Sequence, residues 1–150
     1  MKIRLIQIHD RDEWLRMREA LWPDHGDEHL HESAAYFRQP RANTAIFVAA
    51  RANGKLGGFL EAGTRYYAEG CDTRDVGYIE GWYVDPDLRL QNVGRALVQA
   101  AENWARELGC QEMASDCELA NEVSFKAHLA IGYEEAGRNS HFQKALNRRE

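Results

Sequence analysis

The sequence predicts one mixed α/β domain over residues 1–150, an α+β mixed sheet covered by helices. Three observations support this fold class. The chain has 150 residues, of which 44% are hydrophobic, and that length suits a single compact domain. Segments with the two-residue periodicity of strands alternate with segments of helical periodicity. Neither an internal repeat nor a Pro- or Ser-rich linker divides them. We therefore expect the element order β-α-α-β-β-β-α-β-α-β-β.

The first third of the chain holds a strand and two helices. Residues 2–8 alternate apolar and polar side chains, which indicates a strand. Asp10 and Glu13 have the spacing of a capping box ahead of a helix that Pro23 stops. A second helix is expected over about residues 28–37.

A hairpin follows these helices. Residues 44–51 and 56–64 are strand-like, and the turn between them contains Asn53 and Gly54. Asn-Gly is typical of tight hairpin turns because both residue types accept positive φ angles. Residues 66–75 are polar and contain glycine, so they are expected to form a loop.

The second half begins with a strand over residues 76–84. An amphipathic helix follows from Val93, and Gly109 is placed to cap its end. The remaining segments are predicted as a short strand over 112–115, a helix over 122–131 and two final strands from Tyr133 onward.

The charge is concentrated in one stretch. The chain has 24 acidic and 19 basic residues, a net charge of −5 and a pI of about 5.7. Residues 61–87 contain seven acidic and two basic residues, which accounts for the whole surplus. Because nucleic acids and anionic membranes bind through neutralised phosphates, we expect neither as a partner. A small cationic partner is compatible.

The start of the chain and its cysteines indicate the cellular compartment. Lys2 and Arg4 interrupt the first apolar stretch, and no long uncharged apolar window follows, so we expect no signal peptide or membrane span. The expected location is cytoplasmic. Cys71, Cys110 and Cys117 are odd in number and form no Cys-x-x-Cys pair, so we expect reduced thiols and no metal site.

Chemistry is indicated where a strand ends at Val84, turns through Pro86 and leads into a helix. The N–H groups and dipole at a helix N-terminus can bind a pyrophosphate without a lysine. Gly94 lacks a Cβ where a phosphate would approach, and Asn92 tolerates the left-handed conformation. From these residues alone, a purely structural turn is an equally good interpretation.

This segment resembles the acyl-CoA-binding motif of the GNAT N-acetyltransferase superfamily, Val-x-Pro-x-x-Arg-x-x-Gly-x-Gly-x-x-Leu. The matching positions are Val84, Pro86, Arg89, Gly94 and Leu97, with Asn92 in place of the first glycine. The resemblance implies the GNAT acyl-CoA N-acyltransferase fold and acetyl-CoA as co-substrate, without a metal. It also implies that the pantetheine arm binds along a strand that splays from its neighbour. The cofactor-binding residues it implies are Trp82, Tyr83, Val84, Arg89, Leu90, Gln91, Asn92, Val93, Gly94, Arg95 and Asn121.

A narrower resemblance extends over nearly the whole chain. The stretches that carry it are Leu21-Trp22-Pro23 with His25, Arg65-Tyr66-Tyr67, Gly70-Cys71-Asp72, Glu80-Gly81, Glu112-Met113-Ala114-Ser115-Asp116, Asn121 and His128. Together they are similar to the aminoglycoside 6'-N-acetyltransferases of the subgroup that forms dimers. The resemblance implies direct acetyl transfer to the 6'-amino group of an aminoglycoside in a ternary complex, antibiotic resistance and a homodimer.

Two carboxylates are candidates for handling the acceptor amine. A primary ammonium must lose a proton before it attacks a thioester, so a carboxylate has to attract it and receive that proton. Glu80 precedes the CoA-binding segment and is assigned acceptor binding and the role of base; the alternative is an exposed strand glutamate. Asp116 ends the next strand, where α/β sheets place ligand contacts. A turn or N-cap aspartate is the alternative.

The remaining candidates follow from the resemblance. Trp22, His25 and Tyr66 match acceptor-binding positions, where an aromatic face can contact a sugar or an ammonium; packing under a loop is the alternative. His128 stands where many GNAT enzymes have a tyrosine that protonates the CoA thiolate, although packing in its helix is favoured. An acyl-cysteine at Cys117 is disfavoured because no basic partner is evident.

Three functions are therefore compared. The first is an acetyl-CoA-dependent aminoglycoside 6'-N-acetyltransferase. The second is a GNAT enzyme acting on another amine, such as a polyamine or a peptide N-terminus. The third is a CoA-binding regulatory module without turnover, which Glu80 and Asp116 disfavour. We expect the acidic stretch over residues 61–87 to border the acceptor cleft and to attract a polycation.

Overall fold

A mixed sheet with helices forms the first of two compact units, Met1–Asp116; the second begins at Cys117. A computed structural model describes residues 1–147. The expected mixed α/β fold class is confirmed. The first unit consists of β1 (Lys2–Leu5), α1 (Arg11–Leu21), α2 (Gly26–Arg38), β2 (Ala45–Ala50), β3 (Leu56–Arg65), β4 (Val76–Val84), α3 (Val93–Glu107) and β5 (Met113–Ser115), and the second unit contains α4 (Glu122–Ala130).

The five strands lie in sequence order across the sheet. The β1–β2, β2–β3 and β3–β4 pairs are antiparallel, and β4–β5 is parallel because α3 crosses between them. The predicted hairpin joins β2 to β3, and the Arg51 N–H donates to the Lys55 carbonyl at 2.8 Å. Only Gly54 has a positive φ, +85°, while Asn53 accepts the Lys55 N–H through its side chain at 3.0 Å. The expected positive φ at Asn53 is therefore wrong.

The sheet is packed on both faces. Trp14 and Met17 of α1 are buried together with Val48 of β2. Because successive strand side chains alternate between faces, the neighbours of Val48 point to the other side, where α3 lies. There Leu97 is so close to Gly58 that a Cβ on this glycine would stand 3.2 Å from it. Because both faces of the sheet are covered by helices, the residues of β2 are all apolar.

A charged cluster fixes the chain directly after β4. Asp85 is only 6% exposed and accepts hydrogen bonds from Arg16 at 3.0 and 3.1 Å and from Arg51 at 3.0 Å. Burial raises the pKa of this carboxyl, but the hydrogen bonds from both guanidinium groups outweigh burial and leave its pKa below the ordinary value. The cluster joins α1, β2 and the segment that follows β4.

Asp85→Ala is expected to lower the free energy of unfolding by about 2 kcal/mol near pH 7, because it removes hydrogen bonds to charged groups. Because the pKa of Asp85 is lower in the folded than in the unfolded state, its carboxylate stabilises the fold fully at a pH above the unfolded-state pKa. This stabilisation is lost as the pH falls through the folded-state pKa. The difference between variant and wild type should therefore shrink on acidification below pH 4 in denaturant titrations. Asp87→Ala is the control, since exposed Asp87 pairs with the same Arg51. An equal loss in both variants would contradict the prediction.

The start of α1 differs from its prediction. A short 3-10 helix, Ile8–Asp10, precedes α1, so the backbone of Asp10 is already helical. The Asp10 side chain therefore does not cap α1; it accepts the Gln7 N–H at 2.8 Å and two bonds from Arg4 at 2.7 and 3.0 Å. Glu13 accepts the N–H of Leu56 instead. The predicted Asp10–Glu13 capping box is wrong, and the first strand ends at Leu5 rather than at residue 8.

In the second unit, α4 lies between Asn121 and Gly132, whose φ is +94°, close to the predicted bounds. The two final strands expected from Tyr133 onward are wrong within the described chain, because residues 133–147 form no strand. This segment contains no Val, Ile or Thr, the β-branched residues that favour strands.

Candidate active site

Two carboxylates stand where neighbouring strands part. The parallel β4–β5 ladder ends at Ile79 paired with Ser115, and the next residues along the two strands are Glu80 and Asp116. β4 continues to Val84, beyond the last residue of β5. The carboxyl ends of parallel strands meet at one edge, which is where α/β sheets bind ligands. The ladder thus ends where the resemblance implies that the two strands part.

Glu80 occupies a β-bulge. Glu61 of β3 pairs with Gly81, and the next β3 residue, Ala62, pairs with Ile79. Glu80 is thus an extra residue that the β3 register skips. It is exposed, although the residues before and after it are buried. Because bulges redirect side chains near functional sites, this geometry explains how a buried strand presents a carboxylate to solvent.

Arg65 and Tyr78 connect the two carboxylates. Arg65 Nη2 and Nε donate to Glu80 Oε1 and Oε2 at 2.6 and 3.1 Å. The same guanidinium lies 3.6 Å from the centroid of the Tyr78 ring, whose OH donates to Asp116 Oδ2 at 2.5 Å. Burial and the Asp116 carboxylate raise the pKa of Tyr78, so its hydroxyl remains a donor. The structure thus gathers Glu80 and Asp116 in one cluster.

Of the three predicted aromatic contacts, Trp22 is the one that packs against the residue next to Glu80. It follows α1 and lies against Gly81, where an added Cβ would come within 2.5 Å of the indole Cη2. Gly81 is therefore required by the close approach of this ring. His25 is exposed, and it shares with Trp22 the wall of an open cleft of about 260 Å³. Tyr66 is 69% exposed, in the loop after β3.

The turn before α3 has the backbone expected of an anion site. Asn92 is the N-cap residue, and its φ of +66° confirms the predicted left-handed conformation. Leu90 also has a positive φ, +63°, although it is apolar and fully exposed. Gln91 donates to the Asp87 carbonyl at 3.0 Å, and the first turn of α3 contains no acidic residue. The N–H groups of that turn have no intrahelical acceptors, so they are suited to a pyrophosphate.

Gly94 has a packing role that sequence reasoning missed. An added Cβ would lie 3.1 Å from the Trp82 ring, whose Nε1 donates to the Gly94 carbonyl at 3.2 Å. The glycine therefore lets β4 approach α3. Arg89 Nε donates to the Val84 carbonyl at 3.1 Å and closes the turn between them. The end of β4 and the predicted phosphate-binding turn are thus directly connected.

The second unit holds two further candidates. Asn121 caps α4 by accepting the Ser124 N–H at 3.0 Å, which is the structural alternative considered for it. The His128 ring nitrogen Nδ1 lies 2.7 Å from the Ser124 carbonyl and donates to it, and the ring meets Tyr133 edge-on at 6.0 Å. A CoA contact of Asn121 and proton donation by His128 stay predictions.

The acidic stretch is not a free anionic surface. Four of the seven carboxylates in residues 61–87 form ion pairs with arginines, and three of the four arginines lie outside the stretch. The five pairs join Glu61 to Arg18, Glu80 to Arg65, Asp85 to Arg16 and Arg51, and Asp87 to Arg51. Much of the apparent charge is therefore neutralised by arginines, and of these four carboxylates only Glu80 lies at the strand opening.

Residues 1–147 contain neither a metal-binding cluster nor a membrane-spanning helix. No group of three His, Cys, Asp or Glu side chains in this range is arranged to hold a metal ion. The three cysteines are free thiols. None of the helices in the same range is long and apolar enough to cross a membrane.

The mixed sheet, the anion-binding backbone expected before α3 and the two neighbouring carboxylates fit an acyltransferase. A match to the acetyltransferase (GNAT) family spans residues 14–133, and the chain belongs to this family. GNAT acetyltransferases use acetyl-CoA, so acetyl-CoA is the co-substrate.

Curated relatives indicate which kind of acetyltransferase the chain is similar to. The chain is 44% identical to an aminoglycoside N(6')-acetyltransferase type 1 of Klebsiella aerogenes, with 96% of each chain covered. It is 39% identical to the enzyme of the same name from Stenotrophomonas maltophilia, covering 96% of this chain and 93% of that one.

The chain is also similar to solved structures of aminoglycoside 6'-N-acetyltransferases. The AAC(6')-Iy complex with the bisubstrate analogue CoA-S-monomethyl-acetylneamine has a TM-score of 0.87 and 35% identity, with 97% of this chain and 98% of that chain covered. The aminoglycoside 6'-N-acetyltransferase AAC(6')-IG from Acinetobacter haemolyticus, without ligand, has a TM-score of 0.90 and 31% identity, with 98% and 100% covered.

Proposed function

We propose that this protein transfers the acetyl group of acetyl-CoA to the 6'-amino group of an aminoglycoside antibiotic and thereby confers resistance. The observation that carries the proposal is the pair Glu80 and Asp116 at the opening between β4 and β5; Glu80 is on β4, the strand that leads into the proposed phosphate-binding turn, and Asp116 follows β5. Relatives named as aminoglycoside N(6')-acetyltransferases over nearly their full lengths support this acceptor.

The chemistry requires an acceptor site and a proton acceptor. Glu80 binds the ammonium and takes one of its protons, directly or through water. The free amine nitrogen then attacks the thioester carbon, a C–N bond forms, the C–S bond breaks, and the nitrogen releases its second proton to solvent. CoA leaves as a thiolate, which takes a proton from a donor; His128 is the candidate. Asp116 and Trp22 hold the rest of the acceptor.

Arg65 occupies the position that the acceptor ammonium needs. Its guanidinium binds both oxygens of Glu80, yet the two side chains are 45% and 40% exposed. Exposed ion pairs contribute little net stability, so an incoming ammonium can exchange with the arginine. Arg65 thus keeps a cation beside Glu80 until substrate arrives.

Acetyl-CoA is held by the other half of the site in this proposal. The backbone of Trp82, Tyr83 and Val84 binds the pantetheine arm where β4 extends beyond β5. The turn from Arg89 to Arg95 and the N-terminus of α3 bind the pyrophosphate.

The proposal extends to assembly and location. The chain is treated as a single catalytic domain, supported by a family match that reaches from the first unit into the second. A homodimer is inferred from the resemblance and is tested by light scattering after size-exclusion chromatography. A cytoplasmic location follows from the use of acetyl-CoA, an intracellular metabolite.

A coupled thiol-release assay tests the function. Purified protein is given acetyl-CoA with kanamycin, tobramycin, spermidine or a panel of peptides. We expect CoA release with the aminoglycosides, and mass spectrometry of the product should place one acetyl group on the 6'-nitrogen. Release with spermidine or peptides alone would refute the proposed acceptor. If acetyl-CoA binds but CoA is not released with any of these amines, the protein is a CoA-binding module without turnover.

Salt should weaken acceptor binding. Kanamycin carries several ammonium groups near Glu80 and Asp116, and exposed charges are screened within about 8 Å at physiological ionic strength. The KM for kanamycin should rise several-fold between low and high salt. 6-Amino-6-deoxyglucose, which carries one ammonium, should show a shallower dependence. A KM for kanamycin that does not respond to salt would show that charge does not govern acceptor binding.

A further inference from the structure

The position of Trp22 depends on a buried polar network. The indole is pressed against Gly81, the residue that follows Glu80, so a small shift of the ring would change the wall beside this carboxylate. Trp22 lies just after α1, outside regular secondary structure, and its neighbours must therefore determine where it lies.

Arg18 and His29 hold both the backbone and the ring of Trp22. His29 Nε2 is 2.9 Å from the Trp22 carbonyl, and its ring stacks on the indole at 6.2 Å. The Arg18 guanidinium lies 5.1 Å from the centroid of the indole. A cation over a Trp face and a hydrogen bond to the backbone both favour one orientation of the residue.

The donors and acceptors assign one tautomer of His29. Arg18 Nε carries a hydrogen and lies 3.1 Å from His29 Nδ1, so Nδ1 must accept. Nε2 therefore carries the ring hydrogen and donates to the Trp22 carbonyl. Arg18 and His29 are only 6% and 4% exposed, so water cannot readily replace either bond.

Two acidic partners of Arg18 complete the network; the side chain of Glu61 is 17% exposed and that of Glu32 is 56% exposed. Arg18 Nη1 donates to both Glu61 oxygens at 3.2 and 3.0 Å, and Glu61 also accepts the Trp14 Nε1 hydrogen at 3.1 Å. Arg18 Nη2 binds Glu32. Apolar residues of similar volume are often at least as stabilising as a buried ion pair, so fold stability alone does not account for this cluster.

We propose that Arg18 and His29 are positioning residues that fix the Trp22 indole beside Glu80 and thereby set the affinity for the acceptor amine. The inference rests on the proposed function. Neither side chain is assigned a contact with the reacting atoms, because both act through Trp22. Their loss should therefore change the KM for the acceptor and leave the KM for acetyl-CoA unchanged.

Variants of His29 test the inference. His29→Ala should raise the KM for kanamycin about tenfold while the KM for acetyl-CoA and kcat stay within twofold. His29→Gln should recover most of the wild-type KM, because its amide can accept from Arg18 and donate to the Trp22 carbonyl. His29→Asn, which is too short to reach both groups, should behave like alanine. His31→Ala, an exposed histidine of the same helix, is the control.

A double-mutant cycle separates positioning through Trp22 from a general effect on folding. If His29 acts through the indole, Trp22→Ala with His29→Ala should have the same acceptor KM as Trp22→Ala alone. If the effects of the two substitutions on the acceptor KM multiply, the inference is overturned. A His29→Ala variant whose kcat falls while the acceptor KM does not change would also overturn it.

A readout without turnover keeps the inference independent of the proposed function. Acrylamide quenching of tryptophan fluorescence is measured with and without Trp22→Phe, so that the difference reports Trp22. Quenching of Trp22 fluorescence should be greater in His29→Ala than in the wild type. In His29→Gln it should return to the wild-type level. Unchanged quenching would overturn the positioning role. A wild-type protein that acetylates no aminoglycoside would refute the proposed function, and the quenching result would still decide the positioning role.

Discussion

Glu80→Gln is expected to reduce kcat on kanamycin by roughly 100-fold to 1,000-fold, within the usual contribution of general acid-base catalysis. The amide retains the size of the side chain at the β-bulge but cannot accept a proton or pair with an ammonium. Acetyl-CoA should bind as tightly as in the wild type, because the phosphate-binding turn is untouched. Steady-state kinetics and calorimetry of acetyl-CoA binding measure the two effects separately.

Glu69→Gln is the matched control for this prediction. Glu69 is an exposed glutamate in the loop after β3, where it accepts a hydrogen bond from Tyr67, and an amide oxygen can accept the same bond. It should retain wild-type turnover. If Glu80→Gln also turns over kanamycin at the wild-type rate, Glu80 is not the base, and Asp116 becomes the remaining carboxylate at the opening.

Gly94→Arg should weaken acetyl-CoA binding at least tenfold. Even a Cβ at this position stands 3.1 Å from the Trp82 ring, so a long side chain must displace either the ring or the start of α3. Both the end of β4 and the helix N-terminus would then lose the geometry required for a pantetheine arm and a pyrophosphate. Titration calorimetry with CoA, in the absence of acceptor, measures the loss.

Two further variants make that result specific. Gln99→Arg places the same side chain on an exposed position of α3 and should bind CoA normally. Asn92→Val replaces a left-handed residue, φ +66°, by a β-branched one and should weaken CoA binding without introducing a charge. Thermal unfolding of each variant shows whether it is folded. Unchanged affinity in folded Gly94→Arg would place the pyrophosphate elsewhere.

Local sequence patterns were sufficient for most of the fold. The bounds of β4 and the start of α3 were predicted correctly, because a turn containing Pro86 separates two different periodicities. The Asp10–Glu13 capping box failed because a preceding 3-10 helix turns Asp10 toward Arg4, a contact that local spacing does not reveal. The two final strands failed because the segment after Tyr133 is poor in the β-branched residues that favour strands.

The site was predictable in its residue types but not in its connections. Glu80 and Asp116 were proposed from the chemistry of amine acetylation and from their places, Glu80 within one strand and Asp116 at the end of the next. The bridge through Arg65 and Tyr78 was missed, because partners in an ion pair depend on strand register and side-chain direction. The only local signal was that Tyr78 precedes Glu80 by two residues on one strand. The Arg18–His29 network was missed for the same reason.

The β-bulge makes Glu80 an insertion in an otherwise regular sheet. If this one residue were deleted, Gly81 would still pair with Glu61 and Ile79 with Ala62, so every other β3–β4 pair would keep its partner. Deletion of Glu80 would thus remove the proposed reactive group and keep the strand pairing, which deletion of an ordinary strand residue would not. A chain lacking Glu80 would be a natural inert counterpart of the enzyme, suited to distinguishing inhibitors that occupy the acyl-CoA half of the site from those that need the carboxylate.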